Sequence, residues 1–290
     1  MINAVFDEQG STRALAITRL LVIGVLFWYV TSGSAFHPAH VDVPVARRGV
    51  AALLMVASWF AWVGYQTRAA TVVIAISWGL LHLYWGTSSG TFATTRDAQL
   101  LQALVVLAIA PCGRSLSVDR WLAVRRAQRL QRPPPSERGP LWSRWLMIAS
   151  LSSFYAWTAV ELATSEWLSG FTIERFWVGR WGSSDTLAMA PELIHALSVA
   201  LAWQVLTLLV VVALCLWVPR WRWYALTLGV ILHLLTWPFF GAWPLTVTLL
   251  ACYPMLVPTD WAHEFIDAQL GAPVTTESPS GDEPAPDEPA

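Results

Sequence analysis

Five ionisable side chains stand inside otherwise apolar stretches of this 290-residue chain: Arg19 in LAITRLLVIGVL, His82, Glu161 in SSFYAWTAVELATSEW, His195, and His233 in GVILHLLTW. A charge at the centre of hydrocarbon costs about 2.5–3.5 kcal/mol on insertion scales, so each such group needs a partner or a task. Arg19 either snorkels to the headgroups or turns inward. Glu161 is either an interfacial acid or, pointing inward, a proton carrier. The three histidines either hydrogen-bond a neighbouring helix or act as a proton relay or substrate-facing group. No spacing links them in sequence. His37 and His40 in FHPAH are interrupted by Pro38 and lack a third ligand, so no metal site is expected. The three cysteines, Cys112, Cys215 and Cys252, lie far apart without CxxC spacing, which excludes a disulfide framework or zinc site as the organising feature.

The elements that carry these residues are hydrophobic helices. The chain is 56% hydrophobic and 13% charged, against roughly 25% charged residues in soluble domains. Of its 19 tryptophans, many flank apolar runs, as Trp28, Trp85, Trp142, Trp167, Trp217 and Trp243 do, where amphipathic rings favour a membrane interface. Apolar runs cover Ala14–Val30, Gly49–Tyr65, Ala69–Gly86, Gln99–Pro111, Leu141–Leu162 and Leu193–Val218. A charge-free stretch from Trp223 to Thr259 is long enough for two short helices turning at Pro238, Gly241 and Pro244, either crossing twice or re-entrant. The expected fold is therefore all-α, a polytopic bundle of about eight transmembrane helices with short interfacial helices and a disordered acidic tail. The polar start and the lack of a small-residue cleavage site make the first run a retained span.

Residues 1–270 read as a single membrane domain, with halves 1–130 and 141–270 joined by QRPPPSERGP at 131–140, an extended linker that no helix can cross. Residues 271–290, rich in Pro, Asp and Glu, form the tail. All basic residues are Arg. Arg13, Arg68, Arg144, Arg220, Arg222 and the seven Arg of residues 114–138 fall on one side, against Arg47, Arg48, Arg96, Arg175 and Arg180 on the other. The positive-inside rule then places both termini in the cytoplasm and the chain in the cell membrane. RSLSVDRWLAVRRAQRLQR is a cytoplasmic helix with a cap at Ser115 or Ser117 and Asp119 in its first turn, attracted to anionic headgroups through its Arg. The external connection EWLSGFTIERFWVGRWGSSDTLAMAPE resembles an interfacial helix, either a surface anchor or a lid over an externally facing pocket. Membrane lipids and a protein partner in the membrane fit such a surface; nucleic acid does not.

Four segments, LAITRLLVIGVL, GRSLSVDRW, SFYAWTAVELATSEWLSG and GVILHLLTWPFFG, resemble the HTTM group, the membrane domain shared with vitamin K-dependent gamma-carboxylase. The resemblance touches most of residues 14–258 and implies an all-helical bundle with a pocket on the non-cytoplasmic side. It also implies roles. Tyr155 and Trp167 occupy cofactor-facing positions of the third segment, and His233 matches the family's late-span His. The family's basic Lys corresponds, after a one-residue shift, to Glu161. The chain contains no Lys at all, so gamma-carboxylation through that amine is not expected, and the carboxylase's large lumenal region has no counterpart in the short tail. Besides a transporter, for which half-helix breaks and an inverted repeat are expected and only the Pro238 to Pro244 break is present, two functions stand open. One is a non-catalytic membrane component. The other is an oxidoreductase or carboxylase-like enzyme on a quinone or other isoprenoid lipid, with Glu161 as acid or base and His233 or His195 as partner. Convergence of Glu161 and the histidines on one cavity discriminates between them. Arg19 and Glu161 belong to opposite ends of the bundle and should not pair directly.

Overall fold

The computed structural model describes residues 9–32, 45–84, 91–181, 191–240 and 243–270. Each expected apolar run forms a helix. After a short strand β1 (Gln9–Ser11) come α1 (Arg13–Ser32), α2 (Val45–Val63), α3 (Thr67–Gly79), prolonged by a π-helical turn Leu80–Tyr84, and α4 (Thr91–Ile109). Then follow α5 (Val118–Arg129), strand β2 (Arg138–Pro140), α6 (Trp142–Leu162), α7 (Ser165–Leu168), α8 (Phe171–Trp181) and α9 (Pro191–Cys215). The chain closes with α10 (Arg222–Phe240), α11 (Trp243–Cys252), a 3-10 turn Tyr253–Leu256, and α12 (Thr259–Leu270). The fold is all-α; among the described residues its only sheet is the antiparallel pair β1–β2, in register Gln9 to Pro140 and Ser11 to Arg138.

Three of these helices are long and apolar enough to cross a membrane, at Arg13–Thr31, Val45–Val63 and Pro191–Cys215, where the apolar runs suggested eight. Thr67–His82 and Pro244–Leu256 are apolar but shorter. The shortfall has local causes. Helix α4 carries Arg96 and Asp97 near its start, and α11 has only 10 residues, about 15 Å at the α-helical rise.

Side-chain placement inverts the pattern of a water-soluble fold. Large apolar groups face outward, with Trp59 60% exposed and Trp157, Val160 and Leu214 each 65%. Thr18, Arg19, Ser58, Thr71, Ser152, Ser198 and His233 are buried. Helices without apolar neighbours to bury against can present such faces only to an apolar solvent or partner. Packing is sequential through α1–α2–α3–α4, and α6, α8 and α10 pack on α9. Helix α11 closes the bundle by packing on both α1 and α4, so the two halves share one interior.

The Arg-rich connections gather at one end. Glu137 in the Pro-rich segment accepts from Arg13 Nε at 2.8 Å and faces Arg120 Nε at 3.4 Å, while Arg13 also reaches Asp267 of α12 at 2.5 Å. Thr12 holds the Glu137 carbonyl through both its amide and its hydroxyl. The expected extended linker is thus pinned along β1 rather than free. Helix α5 stops before the prolines because Gln131 takes a left-handed conformation (φ 53°) and the amide of Arg132 returns to the Ala127 carbonyl, closing the last turn on itself. At the same end Arg144 donates to the Leu256 carbonyl at 3.1 Å and Arg222 lies over the Trp145 ring.

Ser117 caps α5, accepting from the Arg120 amide at 3.0 Å. Asp119 has a role that the sequence hid. Its carboxylate accepts from the Gln66 and Thr67 amides at 2.8 Å each and from the Thr67 hydroxyl at 2.7 Å, so it supplies the N-cap that Gln66, at φ 45°, does not give α3. Gly64, at φ 75°, makes the adjoining turn, where a β-carbon would strike Ser117. Asp119→Ala should lower stability by about 2 kcal/mol, the size of a charged cap, read as a drop in the thermal midpoint in micelles. An unchanged midpoint would mean that water caps α3 equally well.

Candidate functional site

Helix α6 brings Tyr155 to the interior, α10 brings His233, and the turn after α11 brings Tyr253. All three are buried, at 0, 6 and 7% exposure. The Tyr155 hydroxyl lies 2.9 Å from His233 Nε2 and 2.6 Å from the Tyr253 hydroxyl. Tyr253 can sit there because residue 229, one turn before His233, is glycine; a β-carbon at that position would collide with the Tyr253 hydroxyl and come within 2.9 Å of its ring carbon Cζ. The site thus depends on close approach of the α10 backbone to an aromatic ring.

Two head-to-tail alignments of these hydrogen bonds are open to this chain. In one, Tyr253 donates to Tyr155 and Tyr155 donates to Nε2. In the other, protonated Nε2 donates to Tyr155, Tyr155 donates to Tyr253, and the Tyr253 proton is left for a further acceptor. Tyr253 also lines an apolar groove of about 510 Å³ at the surface, with Ile17, Leu226, Val230, Leu250 and Trp261 among its walls. The groove sits at the Arg-rich end, by the first turns of α1 and α10 and by α12.

The other residues singled out in the sequence lie elsewhere. Glu161 is exposed and accepts from Trp157 Nε1, one turn earlier in α6, at 2.7 Å. His195 is on the surface of α9 with Nδ1 3.0 Å from Glu174 of α8, and Phe171 packs beside it. His82 has Nδ1 3.1 Å from Asp97, which also holds Arg96 at 2.6 Å. Trp167 is buried and donates to the Ala202 carbonyl at 3.1 Å, fastening α7 to α9. Arg19 is fully buried, its two terminal nitrogens each 2.6 Å from a carbonyl, of Cys112 and of Leu116. Arg19 and Glu161 are each held by these separate groups. His37 and His40 lie outside the described residues.

Of the candidates, then, only Tyr155 and His233 come together. Tyr253 and Asp97 were missed. Tyr253 had a signal, since a tyrosine beside Pro254 at the end of an apolar run is well placed to be buried, but nothing local connected it to residue 155. Among the described residues no group of His, Cys, Asp and Glu is arranged to hold a metal ion. Set against family models, curated proteins and solved structures, the chain matches none of them.

Proposed function

We propose that this chain is a multi-pass membrane protein of the HTTM kind, with about eight membrane-embedded helices, both termini on the cytoplasmic side of the cell membrane, and a lipid-binding rather than catalytic role. The observation that carries the lipid site is the apolar groove with Tyr253 in its wall, behind which the Tyr253 hydroxyl joins Tyr155 and His233. An isoprenoid chain or a quinone matches that chemistry: apolar length for the groove, and one polar oxygen to accept from Tyr253. The wide apolar exterior and the gathering of Arg-bearing connections at one end support the membrane reading and its orientation. Acid–base chemistry on the lipid would need Glu161 beside His233, and Glu161 is held outside the cluster by Trp157. Scattered polar groups of this kind act as fasteners between helices.

Mass spectrometry of lipids that co-purify with the detergent-extracted full chain tests this reading. Wild type and Glu161→Ala should retain the same isoprenoid lipid. Tyr253→Phe should reduce it about tenfold, the equivalent of one hydrogen bond, and His233→Ala should reduce it by disordering Tyr155. Bulk phospholipid alone in every sample would overturn the groove assignment. Loss on Glu161→Ala would restore the enzymatic alternative.

A further inference from the structure

We propose that the outer face of α5 is a binding site for the headgroup of an anionic phospholipid, with Arg125, Arg126 and Arg129 on its phosphate and Trp121 and Leu122 against its glycerol and acyl carbons. The inference rests on the chain being embedded in a membrane.

Helix α5 is the most strongly basic element among the described residues, and its residues divide by task. Arg120 faces inward, bound to Glu137 and to the Pro135 carbonyl. Arg125, Arg126 and Arg129 are exposed, and among the described residues no acidic side chain pairs with them. Asp119 borders the same hollow, but both of its oxygens are committed to Gln66 and Thr67. The hollow, about 500 Å³, is walled by Trp121, Leu122, Arg125, Arg126 and Arg129. Positions 121, 125 and 129, and positions 122 and 126, are four apart, so these side chains share one face of the helix. Arg125 stacks on Trp121, its guanidinium carbon 3.9 Å from the ring centre.

Two features favour a lipid over another polyanion. Trp121 is 50% exposed and Leu122 44%, a combination at home in the boundary between headgroups and acyl chains and out of place on a water-facing surface. The helix is also fixed to the bundle. Its first turn is tied to the turn before α3 by Asp119, and the segment before it is held from inside by Arg19. A rigidly placed set of guanidiniums holds a phosphate with less ordering cost than three arginines on a free tail.

The test titrates the full chain in micelles with phosphatidylglycerol or phosphatidylcholine and counts bound lipid by native mass spectrometry. Wild type should bind phosphatidylglycerol in preference, and the preference should shrink in 0.5 M salt. The triple variant R125Q/R126Q/R129Q should lose affinity for phosphatidylglycerol by about a hundredfold, in keeping with three basic groups at an anionic surface, and bind phosphatidylcholine unchanged. R125K/R126K/R129K should fall between the two, because lysine keeps the charge without the fork. Equal phosphatidylglycerol binding by wild type and the glutamine triple overturns the proposal. So does a wild type that does not distinguish the two lipids, which is the decisive readout if the triple variant fails to fold. Inorganic phosphate that displaces the lipid at equal concentration would assign the site to a free anion instead. Release of the chain from membranes by alkaline carbonate would refute the membrane reading itself, independently of lipid preference.

Discussion

Arg19→Met should destabilise the protein by about 2–4 kcal/mol, with Arg19→Lys losing roughly half as much. The guanidinium is fully buried and donates to the Cys112 and Leu116 carbonyls. Each carbonyl stranded without a donor costs about 1–3 kcal/mol. Against that, removing the charge recovers the desolvation it suffered on burial. The loss wins because the Cys112 acceptor stays fully buried and the Leu116 acceptor partly so, while methionine offers no donor. There is also strain to hold. Leu116 has φ 46°, a left-handed conformation that side chains other than glycine resist by about 1–2 kcal/mol, and Arg19 grips that residue's own carbonyl. Without it the turn that launches α5 is free to relax. Thermal midpoints in micelles, ordered wild type, then Lys, then Met, would bear this out. A methionine variant as stable as wild type would show that desolvation outweighs the two hydrogen bonds. The same variant should loosen α5, which amide hydrogen exchange over residues 112–129 reads directly.

Gly229→Ala is expected to cost about 3 kcal/mol and to empty the groove of lipid. The new β-carbon would overlap the Tyr253 hydroxyl and approach the ring at 2.9 Å for Cζ and 3.2 Å for Cε2. A rigid aromatic ring packed at a turn cannot yield as a lysine tip would, so overpacking contributes about 1–3 kcal/mol. Displacing Tyr253 also breaks its 2.6 Å bond to Tyr155, adding about 1 kcal/mol. Tyr253→Phe in the same chain removes the atom that collides first. The double variant should therefore be more stable than the sum of the two single changes by about 1 kcal/mol in a double-mutant cycle. Strict additivity would place the cost of Gly229→Ala in α10 alone.

The contrast between Glu161 and Tyr155 shows why the site was only half legible. Both lie on α6, six positions apart, in a segment whose residues alternate small, aromatic and apolar. Nothing in that pattern marks which face is inward. An acid within an apolar run was the more conspicuous signal, yet it is exposed and served by a tryptophan in its own helix, whereas the tyrosine is fully buried. Charge drew attention to Arg19, which the fold buries, and equally to Glu161, which it leaves on the surface. The hydroxyls that meet inside are weakly polar and leave no mark on a hydropathy profile.

By itself the sequence determined which stretches become helices, because length, apolar content and stop signals such as the three prolines after Arg132 act within a few residues of themselves. It also determined the uneven spread of arginine between alternate connections and narrowed the α5 cap to Ser115 or Ser117, of which the structure uses Ser117. Only the tertiary structure decided the pairings. Asp119 caps a helix 52 residues away, Arg19 reaches 93 residues to Cys112, and Tyr155 meets Tyr253 across 98. It also placed the groove at the Arg-rich end. The physical reason is that helix formation satisfies the backbone within each segment, whereas a buried side-chain donor must find its acceptor on whichever helix packing brings within 3 Å.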